Sequence, residues 1–146
     1  MTEILIKKLS EKAIIPKYET DGASGLDISA CIDDEINLDP GTKILVPTGL
    51  SIAIPRNYEV QIRPRSGLAV KNNISVLNSP GTIDSDYRGE IKVILFNHGK
   101  KTFKIENGLR IAQMVVCPIV KAKIKLVENL SKTIRGEGGF GSTGVK

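Results

Sequence analysis

The chain has 146 residues, 40% of them hydrophobic and 25% charged, with a formal net charge of +5. One compact domain is expected at this length, and with aromatics at 4% and no tryptophan its core must come from Ile, Val and Leu, which favours strands. A single histidine and two distant cysteines exclude a histidine-based zinc cluster and a disulfide framework, no stretch approaches the ~20 apolar residues of a membrane helix, and the modest positive charge suits an anionic partner without naming one.

In chain order, "MTEILIKKLS" has neither a long apolar run nor a small-residue cleavage site, so no signal peptide is expected, and "EILIKKL" reads as a first β-run. After the turn-like "ETDGAS" comes "GLDISAC", where Asp27 interrupts an apolar run and is either paired or aimed at a cation. Cys31 closes this run and reads as a buried thiol, as does Cys117 further on. "KILVP", "GLSIAIP" and "YEVQIRP" continue the β pattern. "RPRSGLAVKN" then holds the best helical stretch, Ser66 to Asn73. Arg65, Ser66 and the local amides suit an anion site there, unless Ser66 is a plain N-cap.

"ISVLN" is another strand, and "NSPGTIDSDYRGEIKV", Asn78 to Val93, reads as a loop entering the apolar strand "EIKVILFN". Asp84 and Asp86 share a face if that loop is extended. A general base beside an arginine-held aspartate, a two-carboxylate glycosidase site, a metal site and a plain acidic turn all fit this pattern. His98, in "FNHGK", is read as a turn residue. "LRIAQMVVCPIV" carries Arg110 and Gln113 as polar islands, Arg110 being an obvious counter-ion for a buried aspartate.

Short β-branched runs spaced by Gly, Pro, Asn and Asp argue an all-β sandwich or barrel. The apolar pattern ends near Ser131, so residues 1–130 are expected to form the β domain and residues 131–146 a Gly-rich arm, mobile until a ligand arrives. Within the arm Gly136, Gly138 and Gly141 satisfy G-x-G-x-x-G, but that pattern binds dinucleotides only between a strand and a helix, and the five residues after Gly141 hold no helix. The P-loop lysine is missing as well.

Together and in this order, "SGLDISA", "PRSGLA", "GTIDSDYRGEI", "RIAQMVV" and "RGEGGFGSTG" resemble the five ordered motifs of the trimeric dUTPase family, from Ala23 to Gly144. The resemblance implies a jelly-roll-like β-barrel or sandwich with one short helix. It also implies a homotrimer, Mg2+ as cofactor, and hydrolysis of dUTP to dUMP and pyrophosphate by in-line attack of water on the α-phosphorus. In the family three subunits share each site, one giving the counterparts of "PRSGLA" and "RIAQ", a second the "IDSDY" loop and a third the arm. Such an enzyme keeps uracil out of DNA and supplies dUMP for thymidylate synthesis. A cytoplasmic setting is implied, with neither nucleic acid nor membrane as partner.

Residue by residue, Asp84 resembles the water-activating aspartate, and Asp86 the structural one, for which Arg110 is the candidate partner. Asn78, with the backbone of Thr82, Ile83 and Lys92, resembles the uracil pocket, and Tyr87 the ring under the deoxyribose that bars a 2′-OH. Arg65, Ser66 and Gly67 match the phosphate turn, Gln113 a contact near the α-phosphate, and Asp27 a residue acting on Mg2+ through water. In the arm, Arg135 matches the γ-phosphate contact, Phe140 the lid on uracil, Gly141 a point of close backbone approach, and Ser142 and Thr143 a cradle for the terminal phosphate. The chain departs from the family at "NGLRIAQ", where Leu109 replaces a common acidic residue. The nearest alternative is a dCTP deaminase, monofunctional or bifunctional, on the same fold; Asp84 and Tyr87, which deaminases lack, argue against it. A non-catalytic jelly-roll binding protein would have lost one of Asp84, Tyr87, Arg135 or Phe140.

Overall fold

The computed structural model describes residues 2–140 and Ser142. Among these residues the elements are β1 (Leu5–Lys8), β2 (Leu26–Ser29), β3 (Ile36–Leu38), β4 (Lys43–Pro47), β5 (Leu50–Ala53), β6 (Tyr58–Arg63), α1 (Ser66–Asn72), β7 (Ile74–Val76), β8 (Gly81–Ile83), β9 (Lys92–Asn97), β10 (Phe103–Ile105) and β11 (Arg110–Pro118). Every strand pairing is antiparallel. The sheets run β2-β11-β6-β8, β4-β9-β7, β1-β5 and β10-β3. The expected all-β jelly-roll-like architecture with one short helix is what forms.

Strand periodicity explains which side chains go inside. Val93, Leu95 and Asn97 alternate inward on β9, as do Val60 and Ile62 on β6 and Gly81 and Ile83 on β8. Val60, Ile62, Ile83, Val93 and Leu95 join Ile28, Leu38, Val46, Leu50, Ile105, Ile111 and Met114 in one apolar core. Asn97 is fully buried yet satisfied: its amide donates to the Leu38 and Lys101 carbonyls, both at 2.9 Å, and its oxygen accepts from Gly99 N–H at 2.8 Å.

Three strands were not foreseen. β3 and β10 are three residues each, and β8 lies inside the stretch read as loop. Gly-Thr-Ile holds two β-favouring residues but is too short to show an alternating pattern; its pairing with β6 defines the strand. The helix falls one residue short of expectation, because Asn73 turns left-handed at φ 57° and caps it. Arg65, not Ser66, is the N-cap, and no side chain caps that end. The last strand ends at Pro118, and among the described residues Ile119 N–H to the Asn57 carbonyl at 2.9 Å is the last hydrogen bond to the barrel. Both cysteines are free and half-buried, and His98 lies in the turn after β9, its Nε2 2.8 Å from Ser75 Oγ. No helix among the described residues is long and apolar enough to cross a membrane.

Candidate active site

A pocket of about 300 Å3 opens where β7 runs into β8 and on into β9. Asn78, Thr82, Ile83, Asp84, Tyr87 and Lys92 line it together, although the first and last of these are 14 positions apart by number (92 minus 78). β8 is an outer strand, hydrogen-bonded to β6 on one side only. Its other edge therefore offers unpaired backbone donors and acceptors. Gly81 packs between Asn78 and β6: a Cβ there would lie 3.3 Å from Asn78 Nδ2 and 3.4 Å from Ile62 Cβ.

The pocket has an apolar side that the sequence reading missed. Leu45 on β4 and Ile94 on β9 are register partners and line it with Ile91 and Glu90. Leu45 is 52% exposed, so this apolar pair faces outward, away from the core. The signal was present: "KILVP" and "KVILFN" are continuous apolar runs, not alternating ones, which marks strands with both faces in use.

Asp84 follows β8 and opens a turn closed by Tyr87 N–H to the Asp84 carbonyl at 3.1 Å. Arg88 braces it, its Nη1 donating to the Ser85 and Tyr87 carbonyls, both at 2.8 Å. Asp84 and Asp86 do line one shallow hollow of about 220 Å3, with Tyr58, Glu59 and Lys121, but this turn brings them there, not the extended segment that sequence alternation suggested. Asp84 borders both cavities and is solvent-exposed.

A second polar centre forms around Asp27, which β2 buries against β11. Arg110 Nη1 donates to Asp27 Oδ2 at 2.9 Å. Arg65 approaches with Nε at 3.3 Å from Oδ1 and Nη2 at 3.4 Å from Oδ2, and Gln113 Nε2 lies 3.3 Å from Oδ1. Both carboxylate oxygens are thus engaged, and Asp27 holds two arginines. Within this one chain Arg110 serves Asp27, with Glu19 3.9 Å away, and does not reach Asp86. The physical reason is register: β11 places Gln113 opposite Asp27 and Arg110 opposite Ser29, whereas Asp86 sits in the turn beyond β8. Leu109 packs against the core, an apolar role for the position where an acidic residue is common.

Arg65 also donates through Nη1 to the Arg110 carbonyl at 3.2 Å, which leaves the adjoining Ser66 and Gly67 exposed at the start of α1. None of Asp27, Arg65, Arg110 or Gln113 lines the Asn78–Lys92 pocket. The arm bonds within itself. Arg135 Nε bonds the Gly138 carbonyl at 2.7 Å within the arm itself, Phe140 is fully exposed, and Ser142 N–H bonds the Gly139 carbonyl at 2.9 Å. Among the described residues no hydrogen bond or ion pair joins the chain beyond Ile119 to the barrel. Gly141 and Thr143 lie outside the described residues.

A family profile described as dUTPase matches residues 11–144. The chain belongs to the dUTPase family. It is 61% identical to the deoxyuridine 5'-triphosphate nucleotidohydrolase of Crocosphaera subtropica, over 98% of this chain and 99% of that one. Its fold superposes with a TM-score of 0.90 on a mutant dUTPase of Staphylococcus bacteriophage 80alpha with dUpNHpp, 27% identical, covering 99% of this chain and all of that one (100%). A mutant dUTPase from phage phi11 of S. aureus, at 23% identity and a TM-score of 0.81 over 89% of this chain and 99% of that one, shares the fold; its structure details the coordination of a structural Mg(II) ion. These dUTPases lend no support to a dCTP deaminase.

Proposed function

We propose that this member of the dUTPase family hydrolyses dUTP to dUMP and pyrophosphate, with Asp84 taking a proton from the water that attacks the α-phosphorus. The observation that carries the reading is the convergence of Asn78, Thr82, Ile83, Asp84, Tyr87 and Lys92 on one pocket. The free edge of β8 presents fixed donors and acceptors to the base. Uracil matches such an edge, whereas cytosine reverses the pattern at two positions and leaves buried groups unpaired, a discrimination worth ~10⁴-fold or more. Tyr87 lies under the sugar and excludes a 2′-OH. Asp84, exposed at the border of the pocket, is open to a water molecule, and a positioned carboxylate in this role contributes ~10²–10⁴-fold.

The phosphates fall to Arg65, Ser66, Gly67 and Gln113, with Asp27 and Arg110 as the support that aims Arg65. Because these residues lie apart from the base pocket within one chain, the site is completed between subunits of a homotrimer. There Asp86 of one subunit meets Arg110 of the next. The arm closes over a neighbour's site: Arg135 reaches the γ-phosphate, Phe140 covers the base, and Gly141, Ser142 and Thr143 wrap the terminal phosphate. Among the described residues of the arm, the lack of hydrogen bonds and ion pairs to its own barrel supports this reading.

Mg2+ is the proposed cofactor. Among the described residues no three His, Cys, Asp or Glu side chains group to hold a metal, and Asp27 is committed to arginines. That donor set fits Mg2+ carried mainly by phosphate oxygens and water. When bound, the ion neutralises and orders the triphosphate. The cytoplasm is the proposed setting.

Purified protein with Mg2+ should release pyrophosphate from dUTP and far more slowly from dTTP, dCTP and UTP. Comparable rates on all four would overturn the specificity, and ammonia release from dCTP would establish the deaminase instead. Sedimentation tests the trimer.

A further inference from the structure

Tyr87 is 45% exposed and stands on a turn, so its side chain needs something to hold the ring in one place. Two neighbours supply it. The ring lies directly over Gly89: a Cβ there would meet the Tyr87 hydroxyl and sit 2.5 Å from Cζ and 2.9 Å from Cε2, well inside van der Waals contact. The Tyr87 hydroxyl donates to the Glu90 carbonyl at 3.0 Å.

Glu90 is itself anchored. Its Oε1 accepts from Gly49 N–H at 2.9 Å and its Oε2 lies 3.5 Å from Lys92 Nζ. Gly49 is a rigid mooring, at φ 66° with Cys31 and Ala13 packed against the place a Cβ would take. The rest of the segment is pinned to the same β4–β5 connection. Ser51 Oγ donates to the Arg88 carbonyl at 2.7 Å, Ile91 N–H to the Leu50 carbonyl at 2.8 Å, and Thr48 Oγ1 to the Ile91 carbonyl at 2.6 Å. The wall behind Tyr87 is therefore clamped to the core from Arg88 to Ile91, while the ring rests on Gly89 and is tethered by the Glu90 carbonyl.

We propose that Gly89 and Glu90 are positioning residues that set the height and tilt of the Tyr87 ring, and so fix how sharply the enzyme rejects a 2′-OH. The inference rests on Tyr87 being the sugar gate. Glycine at 89 gives the ring its seat, and the Glu90–Gly49 bond keeps the carbonyl that tethers the hydroxyl from drifting. A methyl at 89 meets the far end of a movable side chain, so the ring yields and the barrel does not.

The test compares Gly89→Ala, Glu90→Ala, Glu90→Gln and Tyr87→Ala. Full-length proteins are assayed for kcat/KM on dUTP and UTP, with thermal unfolding and with NMR of labelled tyrosine rings. The chain has three tyrosines, so the Tyr87 signal is separable. Gly89→Ala and Glu90→Ala should lower the dUTP-over-UTP ratio by about tenfold or more, since a displacement of about 1 Å in a positioned group has effects of that order or larger. The Tyr87 resonance should move in both while those of Tyr18 and Tyr58 stay. Glu90→Gln, which retains an acceptor for Gly49 N–H, should keep the ratio near that of the unaltered protein. An unchanged ratio in Gly89→Ala and Glu90→Ala, beside a relaxed Tyr87→Ala, overturns the inference and leaves the gate standing; so does a lowered melting temperature with an intact ratio. If Tyr87→Ala also leaves the ratio intact, the gate and the inference fall together.

Discussion

Asp27→Asn separates two tasks for the buried carboxylate, holding arginines and serving a metal. The substitution conserves volume, so no cavity term enters. The bond from Arg110 at 2.9 Å is the one good charge-assisted contact, and such bonds contribute ~1.5–3 kcal/mol. The approaches of Arg65 and Gln113 at 3.3–3.4 Å are long and add little. The Arg110 and Arg65 side chains are 49% and 25% exposed, so each regains water when the charge is removed, which discounts the loss. A net destabilisation of about 2 kcal/mol follows, or about 4–8 °C in melting temperature at this chain length and a fixed protein concentration. Arg65 also loses its aim, so kcat/KM for dUTP should fall by about 10–100-fold. The Mg2+ concentration for half-maximal activity should not change. The assays are thermal unfolding by circular dichroism and pyrophosphate release across a Mg2+ titration. A tenfold rise in the Mg2+ requirement with an unshifted melting temperature would refute the reasoning and return Asp27 to the metal.

Asp84→Asn should lose most of kcat, by about 10²–10⁴-fold, while calorimetry still detects dUTP binding; unchanged turnover would remove Asp84 from the chemistry. Removing every residue after Leu130 should leave a folded protein with an unaltered melting temperature and little catalysis, since nothing described beyond Ile119 bonds the barrel, and full kcat in the truncated protein would count against the arm. Gly49→Ala should cost about 2–5 kcal/mol, from left-handed backbone at φ 66° and from a Cβ 2.8 Å from Cys31 Sγ and 2.9 Å from Ala13 Cβ; denaturant unfolding within 1 kcal/mol of the unaltered protein would contradict that packing.

The chain's own order of residues determined the local features. β-branched runs between Gly, Pro, Asn and Asp announced β1, β2, β4, β5, β6, β7, β9 and β11, and "SGLAVKNN" announced the helix, because neighbouring residues suffice to set a period of two or the start of a turn. The residues to which the proposed reaction assigns chemistry were legible as candidates too, since Asp84, Tyr87 and Arg65 stand in breakers between apolar runs. Tertiary structure decided who meets whom. Several aspartates are chemically equal candidates for Arg110 in a string of letters; the pairing of β2 with β11 brings it Asp27, 83 positions away, and leaves Asp86 beyond β8. β3, β8 and β10 are three residues each, too short to show a period, and are settled by the partner strand that lies beside each. The apolar side of the pocket, Leu45 against Ile94, joins positions that only the register of β4 on β9 makes adjacent. Ion pairing, strand pairing and pocket walls all depend on contacts across long stretches of chain, and those follow from how the sheets close around the core, not from any window of neighbouring residues.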